Sequence, residues 1–269
     1  MRMTILLAAA LSLAACTPPA PKPPEPAVQF QLVSAGKLEH GERVAAVLGC
    51  SGCHGAELTG EDWSDPEFGT LWIANLTRAV PNYTDAQLKA VIQSGRRPDR
   101  ELWGMPSHLF TQLSDADMGA LIVFLRSMPP KGVVHPEPAF TERTRQEIAA
   151  GKFASSASDV AEYAAAWPPD AGQDHALGHY LVRATCAECH GMDLRGGEPM
   201  AGGKGPPDLR IAAAYDLEAF RLLMRTGVAP GERDIGLMGE VARGRYSRFA
   251  DAEIDAVHAY LKAVAEREP

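Results

Sequence analysis

Two copies of one pentapeptide pattern constrain this chain of 269 residues more than any other feature. CSGCH occupies residues 50–54 and CAECH occupies residues 186–190, so both have the form C-x-x-C-H. The two thiols of such a pattern can form thioethers with the vinyl groups of a porphyrin, and the adjacent histidine can bind its iron. The sequence therefore predicts two covalently bound c-type haems. The residues predicted to hold them are Cys50, Cys53 and His54 in the first copy, and Cys186, Cys189 and His190 in the second.

The residues around the two motifs are also repeated, at an offset of 136. A short amphipathic segment precedes each motif, and the segment before the second is one residue shorter. Further along, Thr84 and Gln87 form a capping box, and Gly95 and Gly227 are natural helix C-terminal residues. A last helix closes each copy with apolar residues at i, i+3, i+4 and i+7 spacing. These positions are Met118, Leu121, Ile122 and Leu125 in the first copy and Ile254, Val257, His258 and Leu261 in the second.

No convincing β-pattern interrupts either copy, so we predict an all-α fold. It consists of two tandem helical domains, residues 36–130 and 172–269, each folded around one haem. Residues 131–171 form a proline-punctuated linker, in which residues 141–150 have the pattern of a short helix. We expect the linker to pack across the domains, because it carries four apolar anchors. These are Phe140, Phe153, Tyr163 and Trp167.

The N-terminus has the features of a targeting segment. Arg2 precedes an apolar run at residues 3–15 that is too short to span a bilayer. This run ends in LAAC at residues 13–16, which resembles the bacterial lipoprotein cleavage box. The resemblance implies a signal peptide at residues 1–15 and a lipidated Cys16. The alternative is an ordinary signal peptide with an incidental cysteine. The proline-rich residues 17–27 begin a tether, residues 16–35, that would hold the protein away from the membrane on the periplasmic side.

The charge of the chain limits the partners that it can bind. Its net charge is −8 at pH 7, and it contains no run of lysines or arginines. Nucleic acid is therefore not expected as a partner. An acidic protein is more easily steered to a basic docking face on another protein.

The arrangement of the motifs resembles the di-haem cytochrome c family, in which two class I cytochrome c domains follow one another. The resemblance covers about residues 36–130 and 172–266. This family includes the electron-transfer subunits of bacterial periplasmic dehydrogenases. The resemblance implies an electron carrier rather than an enzyme. Its redox partners would be a donor such as a dehydrogenase and an acceptor such as a terminal oxidase or another cytochrome.

In such domains a methionine from the loop before the last helix is the distal ligand of the iron. The resemblance assigns this role to Met105 and Met238, which follow the helix-ending glycines by ten and eleven residues. Met118 and Met224 lie on helical apolar stripes instead and are interpreted as core residues. Met200 remains an alternative ligand in the second copy. His108 and His258 are further alternatives.

The resemblance also implies neighbours for each haem. The proximal imidazole usually donates its other N–H to a carbonyl, and in this family the carbonyl commonly belongs to a proline. Pro207 or Pro206 fits this role in the second copy, whereas the first copy departs from the pattern with Ala74. Four arginines could pair with haem propionates or be solvated at the surface. They are Arg78, Arg96, Arg97 and Arg210.

Two other functions are also compatible with the sequence. A di-haem peroxidase would need a displaceable ligand on one haem and acid/base residues beside it, and the sequence offers no clear set of these. Alternatively, the four motif cysteines could form one zinc site or two redox dithiols. The histidine after each cysteine pair and the export signal argue against that interpretation.

Overall fold

The computed structural model describes residues 28–197, 205–233 and 235–267. Cys16, the signal peptide and Met200 lie outside these residues. The helices of the first half are α1 (Lys37–Leu48), α2 (Cys50–His54), α3 (Leu76–Ala79), α4 (Asp85–Ser94), α5 (Ser107–Phe110) and α6 (Asp115–Ser127). Those that follow are α7 (Glu142–Ala149), α8 (Ser156–Tyr163), α9 (Ala176–Thr185), α10 (Ala187–His190), α11 (Leu217–Thr226), α12 (Leu237–Gly244) and α13 (Asp251–Arg267).

Short elements complete the described parts of the chain. Single turns of 3-10 helix occupy residues 80–82, 173–175 and 246–248, and a longer one spans 209–214. A small antiparallel sheet pairs β1 (Gly69–Thr70) with β2 (Ala139–Phe140), with Gly69 opposite Phe140. The predicted all-α class is confirmed, since this two-stranded pairing is the sheet that the described residues form.

The helix-end signals of the sequence are present in the structure. Thr84 caps α4 through the reciprocal hydrogen bonds with Gln87 that define a capping box. Gly95 and Gly227 end α4 and α11 in the left-handed conformation, which glycine adopts without a steric penalty. Local sequence therefore determines these helix ends.

The core of each half forms where its first helix crosses its last. Gly41 of α1 lies against α6, where an added Cβ would be 1.9 Å from the carbonyl oxygen of Ala120. Gly178 of α9 lies in the same way against α13, 2.1 Å from the oxygen of Ala256. Both crossings therefore require a residue without a side chain. The predicted apolar stripes of the last helices are buried at these crossings.

The linker contacts both halves, since its phenylalanines pack against the first half while its Ala166 carbonyl accepts a hydrogen bond of 3.0 Å from Arg183 of α9. Phe140 and Phe153 lie around Trp103, with ring centroids 4.9 and 5.1 Å from the Trp103 ring. The expected helix is α7, capped by Thr141. Tyr163 and Trp167 are half exposed, and so they anchor the linker less than the two phenylalanines do. The sequence did not predict α8, whose N-terminus packs over Gly95.

The two halves meet through equivalent residues of the repeat. On α6, the buried Asp117 accepts a hydrogen bond of 2.7 Å from Tyr180 of α9. On α13, the buried Glu253 forms a 2.7 Å ion pair with Arg43 of α1. Arg43 and Tyr180 occupy corresponding positions, and so do the two acids. The interface therefore has the reciprocal pattern of an isologous contact.

The N-terminal segment of the described chain reinforces this interface. The backbone N–H of Phe30 donates to Asp117 at 3.0 Å, and that of Gln31 donates to Glu253 at 2.7 Å. His40 of α1 contacts the other oxygen of Asp117 at 2.9 Å. One extended segment thus binds the two equivalent acids.

Within residues 28–197, 205–233 and 235–267, the helices are too short or too polar for any of them to cross a membrane.

Candidate haem-binding sites

The first attachment motif opens onto a large cavity. Cys50, Cys53 and His54 line it together with Met105 and mainly apolar side chains from α3, α4 and α6. The aliphatic lining includes Leu71, Ile73, Leu76, Val80, Leu88, Ile92, Leu121 and Leu125. The structure thus brings the four predicted site residues of the first half to the lining of one cavity.

The second attachment motif opens onto a similar cavity. Cys186, His190 and Met238 line it, with Phe220 and Met224 of α11 and Val257 and Leu261 of α13 among the apolar residues. The side chain of Cys189 is half-buried one turn from Cys186. The second cavity therefore brings together Cys186, His190 and Met238, whereas Cys189 is not among its lining residues.

The loop after each motif has the same conformation in both halves. Leu58 and Leu194, four residues after the respective histidines, are buried with φ of 57° and 60°. The Leu58 carbonyl accepts a hydrogen bond from Leu76, and the Leu194 carbonyl accepts one from Leu209. These bonds hold the following segment beneath each histidine.

One hydrogen bond orients each histidine. Nδ1 of His54 lies 2.8 Å from the Ala74 carbonyl, and Nδ1 of His190 lies 2.7 Å from the Pro207 carbonyl. The prediction of a carbonyl partner is confirmed, with Pro207 rather than Pro206 in the second half. With Nδ1–H donating, Nε2 carries the lone pair that a metal needs. Burial lowers the pKa of both imidazoles, which favours the neutral form.

The motif thiols lie in an apolar environment. Burial raises the pKa of Cys50 to about 12, and burial is also the largest cause of the raised pKa of Cys53, Cys186 and Cys189. Redox dithiols and zinc sites depend instead on stabilised thiolates. No group of three or more His, Cys, Asp or Glu side chains suited to a metal ion occurs among the described residues. An apolar environment of this kind suits the neutral thioethers that a c-type haem forms.

The second cavity differs from the sequence prediction at its methionines. Met238 does not lie in a loop but in the first turn of α12, because Gly236 with φ of 57° turns the chain directly into that helix. Met224 was interpreted as a core residue, and it is buried on α11, but it also lines the cavity. The second cavity therefore presents two thioethers.

The alternative histidine ligands have structural contacts instead. His258 stacks on Phe220, and its Nε2 lies 2.9 Å from the Tyr215 carbonyl. His108 packs beside Tyr163 of α8. Neither of these histidines lines the cavities described above.

Arginines border both cavities, but only one of the four predicted arginines does so. Arg97 lines the first cavity together with Arg100, which the sequence analysis missed, and Arg233 lines the second. The other three have different main contacts. Arg78 donates to the Gly132 carbonyl, Arg96 pairs with Glu101, and Arg210 pairs with Asp208.

Sequence reasoning also missed two charged residues that the fold places between the two attachment motifs. Glu188, inside the second motif, lines the first cavity. Arg245 pairs with Glu188 at 2.7 Å. Nothing in the sequence indicated that Glu188, inside the second motif, would line the cavity of the first half.

Comparison with known proteins agrees with this geometry. The sequence model of the cytochrome c family matches residues 38–129 and 175–265. The chain is 25% identical over 259 residues to the fructose dehydrogenase cytochrome subunit of Gluconobacter japonicus, covering 84% of this chain and 52% of the relative. It is 23% identical over 266 residues to the cytochrome c subunit of the quinone alcohol dehydrogenase of Gluconacetobacter polyoxogenes, covering 84% and 56%.

A shorter match is to one of the subunits of the nicotinate dehydrogenase of Pseudomonas putida, with 34% identity over 107 residues, 36% of this chain and 9% of the relative. The chain spans about half the length of the fructose and alcohol dehydrogenase subunits. The family match covers both halves, and each match includes one attachment motif and most of the residues that line one cavity. This chain belongs to the cytochrome c family.

Proposed function

We propose that this protein is a di-haem electron carrier that accepts electrons from a periplasmic dehydrogenase and passes them to a respiratory acceptor. The acceptor would be a terminal oxidase or another cytochrome. One observation carries the proposal: each half brings cysteine and histidine of its C-x-x-C-H motif, together with a methionine, to the lining of one apolar cavity. When bound, each haem c would supply a one-electron iron couple.

Met105 and Met238 are proposed as the sixth ligands of the two irons. A neutral thioether favours Fe(II) over Fe(III) relative to a second imidazole, and so it raises the reduction potential. With a histidine and a methionine bound to each iron, no coordination position would remain open to oxygen or peroxide. This arrangement suits electron transfer rather than catalysis, and so we treat the chain as a carrier and not as an enzyme.

The polar rim of each cavity fits the propionates of a haem. Arg97 and Arg100 would pair with those of the first haem, and Arg233 with those of the second. Glu137 contacts both Arg97 and Arg100 and would hold them at the rim. The apolar walls would exclude water from the porphyrin face.

The relatives support a dehydrogenase as the redox partner. Two relatives that each match over 84% of this chain are named as cytochrome subunits of fructose and alcohol dehydrogenases. Because this chain spans only about half of each, the identity of its own partner is part of the proposal. With a net charge of −8, the chain would favour a basic docking face on that partner.

We also propose that the protein is attached to a membrane on the periplasmic side. The LAAC sequence at residues 13–16 supports a lipid on Cys16, and the proline-rich segment after it would act as a spacer. Replacing Cys16 with serine is expected to move the haem-loaded protein from the membrane fraction to the soluble extract. Retention in the membrane would contradict the lipid anchor.

Membranes from the cells that make this protein provide the test of the electron-transfer role. Alcohols, sugars and nicotinate should be added in turn to membranes that carry the protein. The visible absorption spectrum then shows which of these substrates reduces the c-type haem. Deleting the gene should slow oxygen uptake with that substrate, and the full-length protein should restore it. Rapid turnover of hydrogen peroxide by the purified, reduced protein would instead support a peroxidase.

A further inference from the structure

The two attachment motifs are joined differently to the helices before them. In the second half, α9 runs to Thr185 and Cys186 keeps a helical conformation before α10. In the first half, α1 ends at Leu48, and the additional residue Gly49 has φ of 80° and ψ of 24°. This left-handed residue leaves the last carbonyls of α1 available to other donors.

Arg245, from the end of α12 in the second half, occupies this turn. Its Nη2 donates to the Leu48 carbonyl at 2.9 Å, and its Nε donates to the Val47 carbonyl at 3.2 Å. A Cβ on residue 49 would lie 2.5 Å from Cζ of Arg245. Gly49 therefore provides both the conformation of the turn and the space for the guanidinium. The C-terminus of a helix also favours a positive charge.

The same guanidinium contacts the second motif and lies beside a residue that lines the second cavity. Its Nη1 donates to Oε2 of Glu188 at 2.7 Å, and Glu188 itself borders the first cavity. The next residue, Tyr246, lines the second cavity, and Cζ of Arg245 lies 5.7 Å from the centre of its ring. The ion pair thus lies between the two attachment motifs, with its side chains only 17% and 26% exposed.

We propose that Arg245 is a positioning residue that holds the second haem-attachment motif against the first, and that its ion pair with Glu188 is shared by the surroundings of both haems. The inference rests on the proposed function, because it requires a haem in each cavity. A positive charge beside a haem favours Fe(II), and a negative charge favours Fe(III). The paired charges largely cancel at both irons, and removing one of them exposes the other in a site that salt screens poorly.

Redox titration of full-length, haem-loaded variants tests this arrangement. Arg245→Gln should lower both reduction potentials, and Glu188→Gln should raise both. We expect the reduction equilibrium constant of each haem to change about tenfold, or 59 mV for one electron. The double variant should return both potentials towards the starting values. Arg221→Gln is the matched control, because Arg221 forms a more exposed ion pair with Asp255 in the same half, with side chains 33% and 38% exposed. Its effect on both potentials should be smaller.

A response of one haem alone, or of neither haem, would overturn the shared position of the pair. If the Arg245→Gln variant does not retain both haems, the Glu188→Gln variant tests the proposal by itself. The reduction potentials of both haems in that variant must still rise. Arg245→Lys tests the positioning role, since lysine keeps the charge but not the fixed fork of donors. It should preserve the potentials and slow electron exchange between the haems, in which one iron is oxidised as the other is reduced. An unchanged exchange rate would refute the positioning role.

The haem count separates this inference from the proposed function. The variants could retain two methionine-ligated haems while their reduction potentials do not change when Arg245 or Glu188 is replaced. That result would overturn the inference but leave the proposed electron-carrier function intact. A starting protein that binds fewer than two haems would overturn the carrier itself.

Discussion

At the residue scale, the motif histidine makes the same hydrogen bond in both haem sites, but the residue that supplies the accepting carbonyl differs. The Nδ1 atom of each motif histidine meets a backbone carbonyl, from Ala74 in the first half and from Pro207 in the second. Because the carbonyl makes the contact, the side chain at this position can differ. Alanine in place of the family's proline therefore preserves the hydrogen bond.

The proposed distal ligands can be tested one at a time. Met105→Ala should abolish the sulfur-to-iron charge-transfer band of the first haem and lower its potential, because the thioether that favours Fe(II) is lost. Met238→Ala should do the same for the second haem. Optical spectra and redox titration measure both effects.

Two other methionines serve as controls for these substitutions. Met118→Leu lies in the α6 core and should leave both bands intact. Met224→Leu should do so too, although Met224 lines the second cavity. Loss of the band in Met224→Leu but not in Met238→Ala would transfer the ligand role to Met224.

The hydrogen bond between Tyr180 and Asp117 makes stability sensitive to high pH. Burial, and then the Asp117 charge, raise the pKa of the Tyr180 hydroxyl in the folded protein above its ordinary value of about 10. A folded pKa above the unfolded one gives stability that is complete below pH 10 and is lost as the pH rises above it. Tyr180→Phe should reduce the free energy of unfolding by about 1.5–3 kcal/mol at pH 7.

The same variant should lose less stability between pH 10 and pH 11 than the original protein, because its phenyl ring has no proton to release. Denaturant unfolding of the haem-loaded proteins at pH 7, 10 and 11 measures both effects. Equal losses in the two proteins above pH 10 would contradict this role for Tyr180.

At the scale of elements, the helix crossings depend on glycine in both halves. Gly41→Ala and Gly178→Ala should each reduce the free energy of unfolding by about 1–3 kcal/mol, because the new methyl group would overlap a backbone carbonyl of α6 or α13. Gly119→Ala in α6 is the matched control, since its Cβ would meet no atom within 4 Å. It should stabilise the helix by about 0.5–1 kcal/mol. A similar effect of all three substitutions would contradict the close crossings.

The linker helix α8 supports the loop that carries Met105. Oγ of the buried Ser156 accepts a hydrogen bond of 3.1 Å from the Met105 backbone N–H. Ser156→Ala should leave this donor unpaired at a cost of about 1–3 kcal/mol, and the loosened loop should let carbon monoxide displace the methionine from the ferrous haem more readily. Carbon monoxide titration followed by absorbance measures this change.

Ser158→Ala is the control for that experiment, because the Ser158 hydroxyl contacts Ser155 within the linker rather than the Met105 loop. Equal carbon monoxide affinities in the two variants would show that α8 does not support the ligand loop.

Local signals account for the elements that could be predicted from the sequence. The capping box at Thr84, the helix-ending glycines and the apolar stripes of the last helices each depend on residues within a few positions of one another. The helix containing Met238 was missed, because it begins at a glycine with positive φ rather than at a recognisable capping residue. The α8 helix was missed within a linker defined by its prolines.

At the scale of the whole molecule, the contacts between the halves could not be predicted. The pair of Tyr180 with Asp117 spans 63 residues, and that of Arg43 with Glu253 spans 210. The repeat indicates that these positions correspond but not that they meet. The folded chain uses them reciprocally, and Arg245 and Glu188 lie in the same interface, between the attachment motifs.

The central claim is that this one chain carries two haems, each with histidine and methionine as axial ligands. Redox titration of the purified full-length protein, combined with a count of haem per chain, tests it most directly. We predict two covalently bound haems per chain, both low-spin and six-coordinate, each with a sulfur-to-iron charge-transfer band in the oxidised state and each reduced by one electron. A single haem per chain, or a high-spin haem with an open coordination position, would contradict the account.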